Sequence, residues 1–141
     1  MTLIAALFRH PFMRFAVIGT GGYIVDISVL WFDTRHLGMD PYSGRAVSIF
    51  IAMFFTWLGN RYLTFSNRRA HGGKAIVQEW MKFVGANLVG AVVNYITYAT
   101  LVHSGPGLFG NQYVAQACGT LFGLAFNFLL SKHLVFSANK S

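Results

Sequence analysis

Charge is what this chain has least of. Asp, Glu, Lys and Arg make up 11% of its 141 residues, against about 25% in soluble domains, which is too little to cover a chain that is 55% hydrophobic. The scarcity is uneven. Between Ser104 and Ser131 there is no charged side chain at all, a stretch longer than the ~20 residues that cross a bilayer core as a helix. Cysteine is nearly absent too: the single Cys118 lies in an apolar run, excludes an intrachain disulfide and reads as a small packing residue. Catalytic signatures are lacking. There is no acidic pair, no metal-ligand spacing among His10, His36, His71, His103 and His133, no Gly-rich phosphate loop with its Lys and no nucleophile elbow. Neither enzymatic activity nor a cofactor is therefore expected. A cleaved leader is not expected either, because Leu3–Phe8 precedes Arg9 and Arg14 without a small-residue cleavage pattern.

What is present is apolar and continuous. Four segments stand out, at about 12–32, 42–63, 82–102 and 112–134, and long uninterrupted runs predict helices rather than alternating barrel strands. The fold expected is a single all-α integral membrane domain of four transmembrane helices. The second segment is the shortest, with only 15 residues between Arg45 and Arg61, and both side chains are expected to snorkel outward to headgroups. Pro41 suits a first helical turn, where its missing N–H costs nothing. Nine basic residues (Arg9, Arg14, Arg61, Arg68, Arg69, Lys74, Lys82, Lys132, Lys140) fall on one side and two (Arg35, Arg45) on the other. The positive-inside rule then predicts both termini on the cytoplasmic side of the membrane. The net charge of +7 lies between apolar segments rather than on a polar aromatic face, which points to anionic membrane lipid and not to nucleic acid. Lys74–Lys82, with Ile76, Val77, Trp80 and Met81 on one stripe, is expected to lie in the inner interface.

The chain repeats itself. Arg14-Phe15 superposes on Lys82-Phe83, Gly22 on Gly90 and Asp26 on Asn94, while Ala46–Ser66 runs against Ala117–Ser137 with Phe55/Phe126, Leu58/Leu129 and Leu63/Leu134 identical. Two repeated helical hairpins of the same orientation are expected, with a site between them.

Several residues are candidates for function. Small residues recur every four positions, as Gly44, Ser48, Ala52, Thr56 and Asn60 and again as Ala115, Gly119, Gly123 and Asn127; such ridges either pack helices closely or leave a groove for substrate. Asp26, the one acidic residue within the predicted segments, must face protein or water, whether tied to Arg45, serving as a substrate or proton site, or standing by as a protonated carboxyl. Arg14, Arg61, Lys82 and Lys132 each close a segment on the basic side. They serve either as topological anchors or as a ring around one phosphate. Asn60, Asn94, Asn127 and Asp26 would continue that ring as a polar interior. Trp57, Tyr62, Trp80 and His133 read as interfacial anchors.

The stretches RFAVIGTGGYIVD, NRYLTF, KFVGANLVGAVVN and NFLLSKHLVF resemble the GtrA-like family of small bacterial membrane proteins over about 14–136. That resemblance implies a part in cell-surface polysaccharide synthesis, usually the movement of a polyprenyl-phosphate-linked sugar across the cytoplasmic membrane. The leading expectation is such a translocator or carrier, with the polyprenyl chain along the small-residue grooves and the phosphate held by Arg14, Arg61, Lys82 and Lys132. Leu63 and Leu134 stand where the family often has Trp, a departure that slightly weakens the case for stacking on a sugar there. A second reading is a membrane anchor that recruits a glycosyltransferase through the basic connection Arg68–Lys82; a third is a proton-coupled exporter using Asp26. Four helices are few, and a homo-oligomer is expected.

Overall fold

The structure is a computed structural model describing residues 5, 6, 8–64 and 66–135. Side chains are described through Phe126, apart from those of Pro11, Phe12, Phe15 and Arg68. Four long helices follow one another: α1 Pro11–Arg35, α2 Pro41–Gly59, α3 Gly73–Ser104 and α4 Gln112–Val135. A π-helical turn, Asn60–Thr64, extends α2, and short 3₁₀ turns occupy Ser66–Arg68 and Gly107–Gly110. No strand occurs among the described residues.

Polarity runs inside out. The buried positions of α1 include Ile18, Asp26, Leu30 and Asp33, which fall on one face at spacings of three, four and eight residues. Its exposed faces carry Val17, Ile24, Trp31 and Phe32. Likewise Arg45, Ser48, Asn60, Arg61 and Gln116 are buried, while Phe50, Phe54, Leu121 and Leu124 are exposed. Water would penalise that arrangement, whereas a hydrocarbon solvent requires it. The spans Ala16–Arg35, Pro41–Thr64 and Gly73–Ser104 are each long and apolar enough to cross a bilayer. With α4, they make an all-α integral membrane protein.

The chain divides into two compact units, Met1–Phe83 and Val84–Ser141. In the first, α1 and α2 form a hairpin around Gly22, which faces Thr56 and the Ala52 carbonyl. In the second, Gly123 of α4 lies against the Gly90 carbonyl of α3. Gly22 and Gly90 are equivalent in the repeat, and so are Ala52 and Gly123, so both hairpins close at the same register. The repeat also reaches further back than its identical residues suggest. Asp40 accepts hydrogen bonds from the N–H groups of Tyr42 and Ser43 at 3.0 Å, and Asn111 accepts them from Tyr113 and Val114 at 2.9 and 3.4 Å. Each hairpin's second helix thus opens on an Asx N-cap two residues before a Tyr.

The structure departs from the sequence expectation at three helix boundaries. First, α1 continues past Phe32 to Arg35, because the turn is delayed to Gly38, whose φ of +65° favours glycine; this takes Asp33 into the helix and buries it. Second, α2 ends in the π turn rather than running as plain α-helix to Leu63. Third, Gly73–Ser104 is one unbroken helix with no interruption at Lys82. No proline occurs in Gly73–Ser104, which runs through Gly85 and Gly90, and at 1.5 Å per residue α3 is about 48 Å long, well over a ~30 Å core.

Candidate functional site at the end of the second helix

The turn that closes α2 gathers most of the polar chemistry of the first unit. Its first residue, Asn60, sends its backbone N–H to both the Thr56 and Trp57 carbonyls, and its side-chain Oδ1 accepts from the Thr64 hydroxyl at 3.1 Å. That side-chain bond links the two ends of a widened turn, a local form that recurs at functional sites.

Arg61 follows, with only 7% of its surface exposed. Its Nη1 donates to both carboxylate oxygens of Glu79 at 2.9 and 2.8 Å, and its Nη2 donates to the Ala70 carbonyl at 2.7 Å. Glu79 accepts two further bonds, from the Trp57 indole N–H at 3.1 Å and the Ala70 N–H at 2.7 Å. Three donors of different kinds therefore converge on one carboxylate, pinning the connection after α2 to the first turns of α3. Charge-assisted bonds of this sort are the strong ones. Aromatic rings close around the clasp, with Trp80 5.3 Å from Trp57 and 5.5 Å from Phe54, centroid to centroid. The Arg61 and Arg69 guanidinium carbons lie 5.5 and 5.3 Å from the Tyr62 ring centroid. Arg14 reaches the same turn from α1, donating through Nη1 to the Leu63 carbonyl at 3.1 Å and through Nε to the Phe8 carbonyl at 2.6 Å.

Of the four cations expected around a phosphate, Arg14 and Arg61 meet at this turn. Lys82 is exposed on α3, and the Lys132 side chain lies outside the described residues, as does that of Asn127. The donors of Arg61 already face protein acceptors, so an anion reaching it would compete with Glu79. Neither Arg45 nor Arg61 snorkels, contrary to expectation: each has an internal carboxylate to neutralise it, at lower cost than stretching a charge along hydrocarbon. Trp57 is likewise a buried hydrogen-bond donor rather than an exposed interfacial anchor.

Asp26 belongs to a separate place. Arg45, fully buried, donates from Nη1 to its Oδ1 at 2.6 Å and to the Ser48 hydroxyl at 3.2 Å. From Arg45 to Asn60 is roughly 22 Å along the helix, so Asp26 and Asn60 do not share one interior. Asn94 sits in the second unit, its backbone carbonyl and Oδ1 against Gly119. The small-residue ridges are filled by neighbouring helices of the same hairpin: Gly44 faces Asp33, Thr34 and Leu30, Gly119 faces Asn94 and Gly123 faces Gly90. The contacts at these glycines favour helix packing over an acyl groove. The second unit does carry an apolar cleft of about 430 Å³ between Ile96, Leu101, Phe109 and Phe122.

Sequence reading missed Glu79, Asp33 and Gln116. Glu79 is the only glutamate in the chain and stands in a basic segment, which was the available sign that it has a cationic partner. Asp33 was hidden by the early helix end, and Gln116 by its being uncharged.

A family model described as GtrA/DPMS, transmembrane domain, matches residues 14–136. The chain belongs to this family. GtrA/DPMS membership makes it a membrane protein linked to glycosyl-carrier or polysaccharide synthesis, in a family whose members are in general non-catalytic. The match begins at Arg14 and takes in the π turn, the Arg61–Glu79 clasp and the whole of α3 and α4. Comparison with curated proteins and with solved structures gives no match.

Proposed function

We propose that the protein carries or translocates a polyprenyl-phosphate-linked sugar across the bacterial cytoplasmic membrane for cell-surface polysaccharide synthesis, with both termini in the cytoplasm. The observation that supports this reading is the meeting of Arg14 and Arg61 at the π turn closing α2, at the end of the helix that the basic-residue bias assigns to the cytoplasmic face. Arg14, Arg61, Lys82 and Lys132 are the phosphate ligands on this reading. Glu79 holds Arg61 until the phosphate arrives, and the incoming anion replaces one carboxylate with another oxyanion of matching geometry. Asp26, Asn60, Asn94 and Asn127 supply polar stations within the membrane, and a homo-oligomer completes the path.

A second reading rests on the same clasp. Because Arg61 and Glu79 fix Ala70, the basic connection Arg68–Lys82 is an ordered platform, suited to recruiting a glycosyltransferase. Binding of a short-chain polyprenyl phosphate to purified protein separates the two. If Arg61 is a ligand, Arg61→Gln lowers affinity about 10-fold or more, and Glu79→Gln raises it by releasing the guanidinium. Arg61→Lys recovers insertion fully but phosphate binding only in part, since ammonium lacks the planar fork. Wild-type affinity in a correctly inserted Arg61→Gln, Lys132→Gln variant ends the carrier reading and leaves the anchor reading ahead.

A further inference from the structure

The first half of α4 carries a polar face that the proposed phosphate site does not use. Tyr113, Gln116 and Thr120 stand at i, i+3 and i+7 of the helix and therefore share one side of it. Gln116 is fully buried. Both its amide oxygen and its amide nitrogen lack a hydrogen-bond partner among the described residues, and the Tyr113 and Thr120 hydroxyls, also buried, lack one too. Four polar atoms are thus lined up without protein acceptors or donors. Leaving a buried polar group unmade costs about 1–3 kcal/mol, and a hydrocarbon setting offers no bulk water to offset it.

The first hairpin also buries a polar atom without a partner among the described residues, Asp33 Oδ2, but the repeat shows that a row of neutral ones belongs to the second. The position equivalent to Gln116 is Arg45, whose guanidinium bonds Asp26 and Ser48; the positions equivalent to Asp26 and Ser48 are Asn94 and Gly119. Where Thr120 stands, the first hairpin has Ile49. The second hairpin thus has a neutral amide, a glycine and a threonine where the first has Arg45, Ser48 and Ile49. Tyr113, Gln116 and Thr120 are all uncharged, and each side chain offers both a donor and an acceptor. With no positive charge to neutralise an anion, that set is poorly matched to one. It suits a neutral ligand bearing several hydroxyls, which donate and accept in turn.

We infer that Tyr113, Gln116 and Thr120 form a hydroxyl-recognition face that binds the sugar moiety of the lipid-linked substrate. The inference rests on the carrier reading above and adds a second station to it. Gln116 lies roughly 24 Å along α4 from Lys132, too far for one sugar phosphate to touch both at once, so the face meets the sugar after its phosphate has left the basic ring.

The test compares two ligands on the full-length protein in nanodiscs: bare short-chain polyprenyl phosphate, and the same lipid bearing glucose, mannose, galactose or arabinose. Wild type is expected to bind at least one of the sugar-bearing lipids more tightly than the bare one. Gln116→Leu should weaken the preferred sugar-bearing lipid about 3- to 10-fold and leave bare lipid binding unchanged, while its melting temperature stays level or rises, because an orphaned amide has been removed. Thr120→Val, which keeps the side-chain shape, provides the same readout if Gln116→Leu does not fold. Full sugar preference in folded Gln116→Leu and Thr120→Val overturns the inference. So does a wild type that binds bare and sugar-bearing lipids equally, although the carrier reading then survives; a wild type that binds neither lipid removes both.

Discussion

The two hairpins of this chain share a register and differ in charge. Each closes where a glycine of its first helix meets a small residue of its second, and each second helix opens on an Asx cap. Inside, the first hairpin holds a buried ion pair, Asp26 with Arg45, and the second has Asn94 and Gln116 at the equivalent positions. The charged copy ties Asp26, Arg45 and Ser48 together, although Asp33 Oδ2 is left without a partner among the described residues, whereas at the equivalent place the neutral copy leaves the Gln116 amide to be met from elsewhere. A buried ion pair is a rigid element that resists change, and a row of unbonded neutral groups is where a ligand can be recognised.

The largest expected effect comes from breaking the charged copy. Asp26→Leu leaves Arg45 buried and uncompensated, which costs about 3–5 kcal/mol, and Arg45→Leu does the same to Asp26. The double replacement should cost much less than the sum of the two, because no charge remains to be stranded. At the equivalent place in the second hairpin, Gln116→Leu should cost nothing. Chemical or thermal unfolding in detergent measures all four variants. An Asp26→Leu protein as stable as Gln116→Leu would erase the distinction between the copies.

A smaller effect should separate the glycines. A Cβ on Gly123 would lie 2.6 Å from the Gly90 carbonyl oxygen, a backbone atom that cannot move aside. A Cβ on Gly22 would instead meet the Thr56 methyl, which a rotamer change can withdraw. Gly123→Ala is therefore expected to cost about 1–3 kcal/mol, and Gly22→Ala less than about 1 kcal/mol. The same unfolding assay applies, and equal losses would mean that the two crossings are packed alike. Gly119→Ala belongs with Gly123→Ala, since its Cβ would fall 2.6 Å from the Asn94 carbonyl.

Much of this architecture was legible in the sequence. Uninterrupted apolar length marked the four helices, and the offset between Ala46–Ser66 and Ala117–Ser137 exposed the repeat, because both are properties of a one-dimensional string. The tie between Asp26 and Arg45 was one of three readings left open, and the structure forms it. What the string did not disclose is partner choice across sequence distance. Arg61 and Glu79 are separated by a turn and a basic connection, and no periodicity links them. The widened turn at Asn60–Thr64 was equally hidden, since a π turn uses the same residue types as the α-helix it interrupts. Nor does α1 show an apolar stripe. Its buried face contains Gly22, Asp26 and Asp33, and in a bilayer the small and polar side is the one turned inward.

The smallest effect sharpens the comparison at the two caps. Hydrogen bonds from the Ser43 side chain and backbone N–H hold the Asp40 carboxyl below its usual value, so the carboxylate form is favoured by the fold. A group with a lowered folded pKa stabilises the native state above its unfolded pKa and loses that contribution as pH falls through the folded value. Asp40 should therefore lend its cap at neutral pH and lose it below about pH 4. Asn111 carries no titrating proton and caps α4 at every pH. Asp40→Asn makes the first cap a copy of the second, and since Asn and Asp cap equally well, it should be nearly silent at pH 7. The difference appears on acidification, where the variant should retain more of its stability than wild type between about pH 4 and pH 2. The rest of the protein is common to both and cancels from that difference. Parallel unfolding curves for wild type and Asp40→Asn across this range would show that the cap's charge plays no part and that the two helix starts are equivalent in every respect.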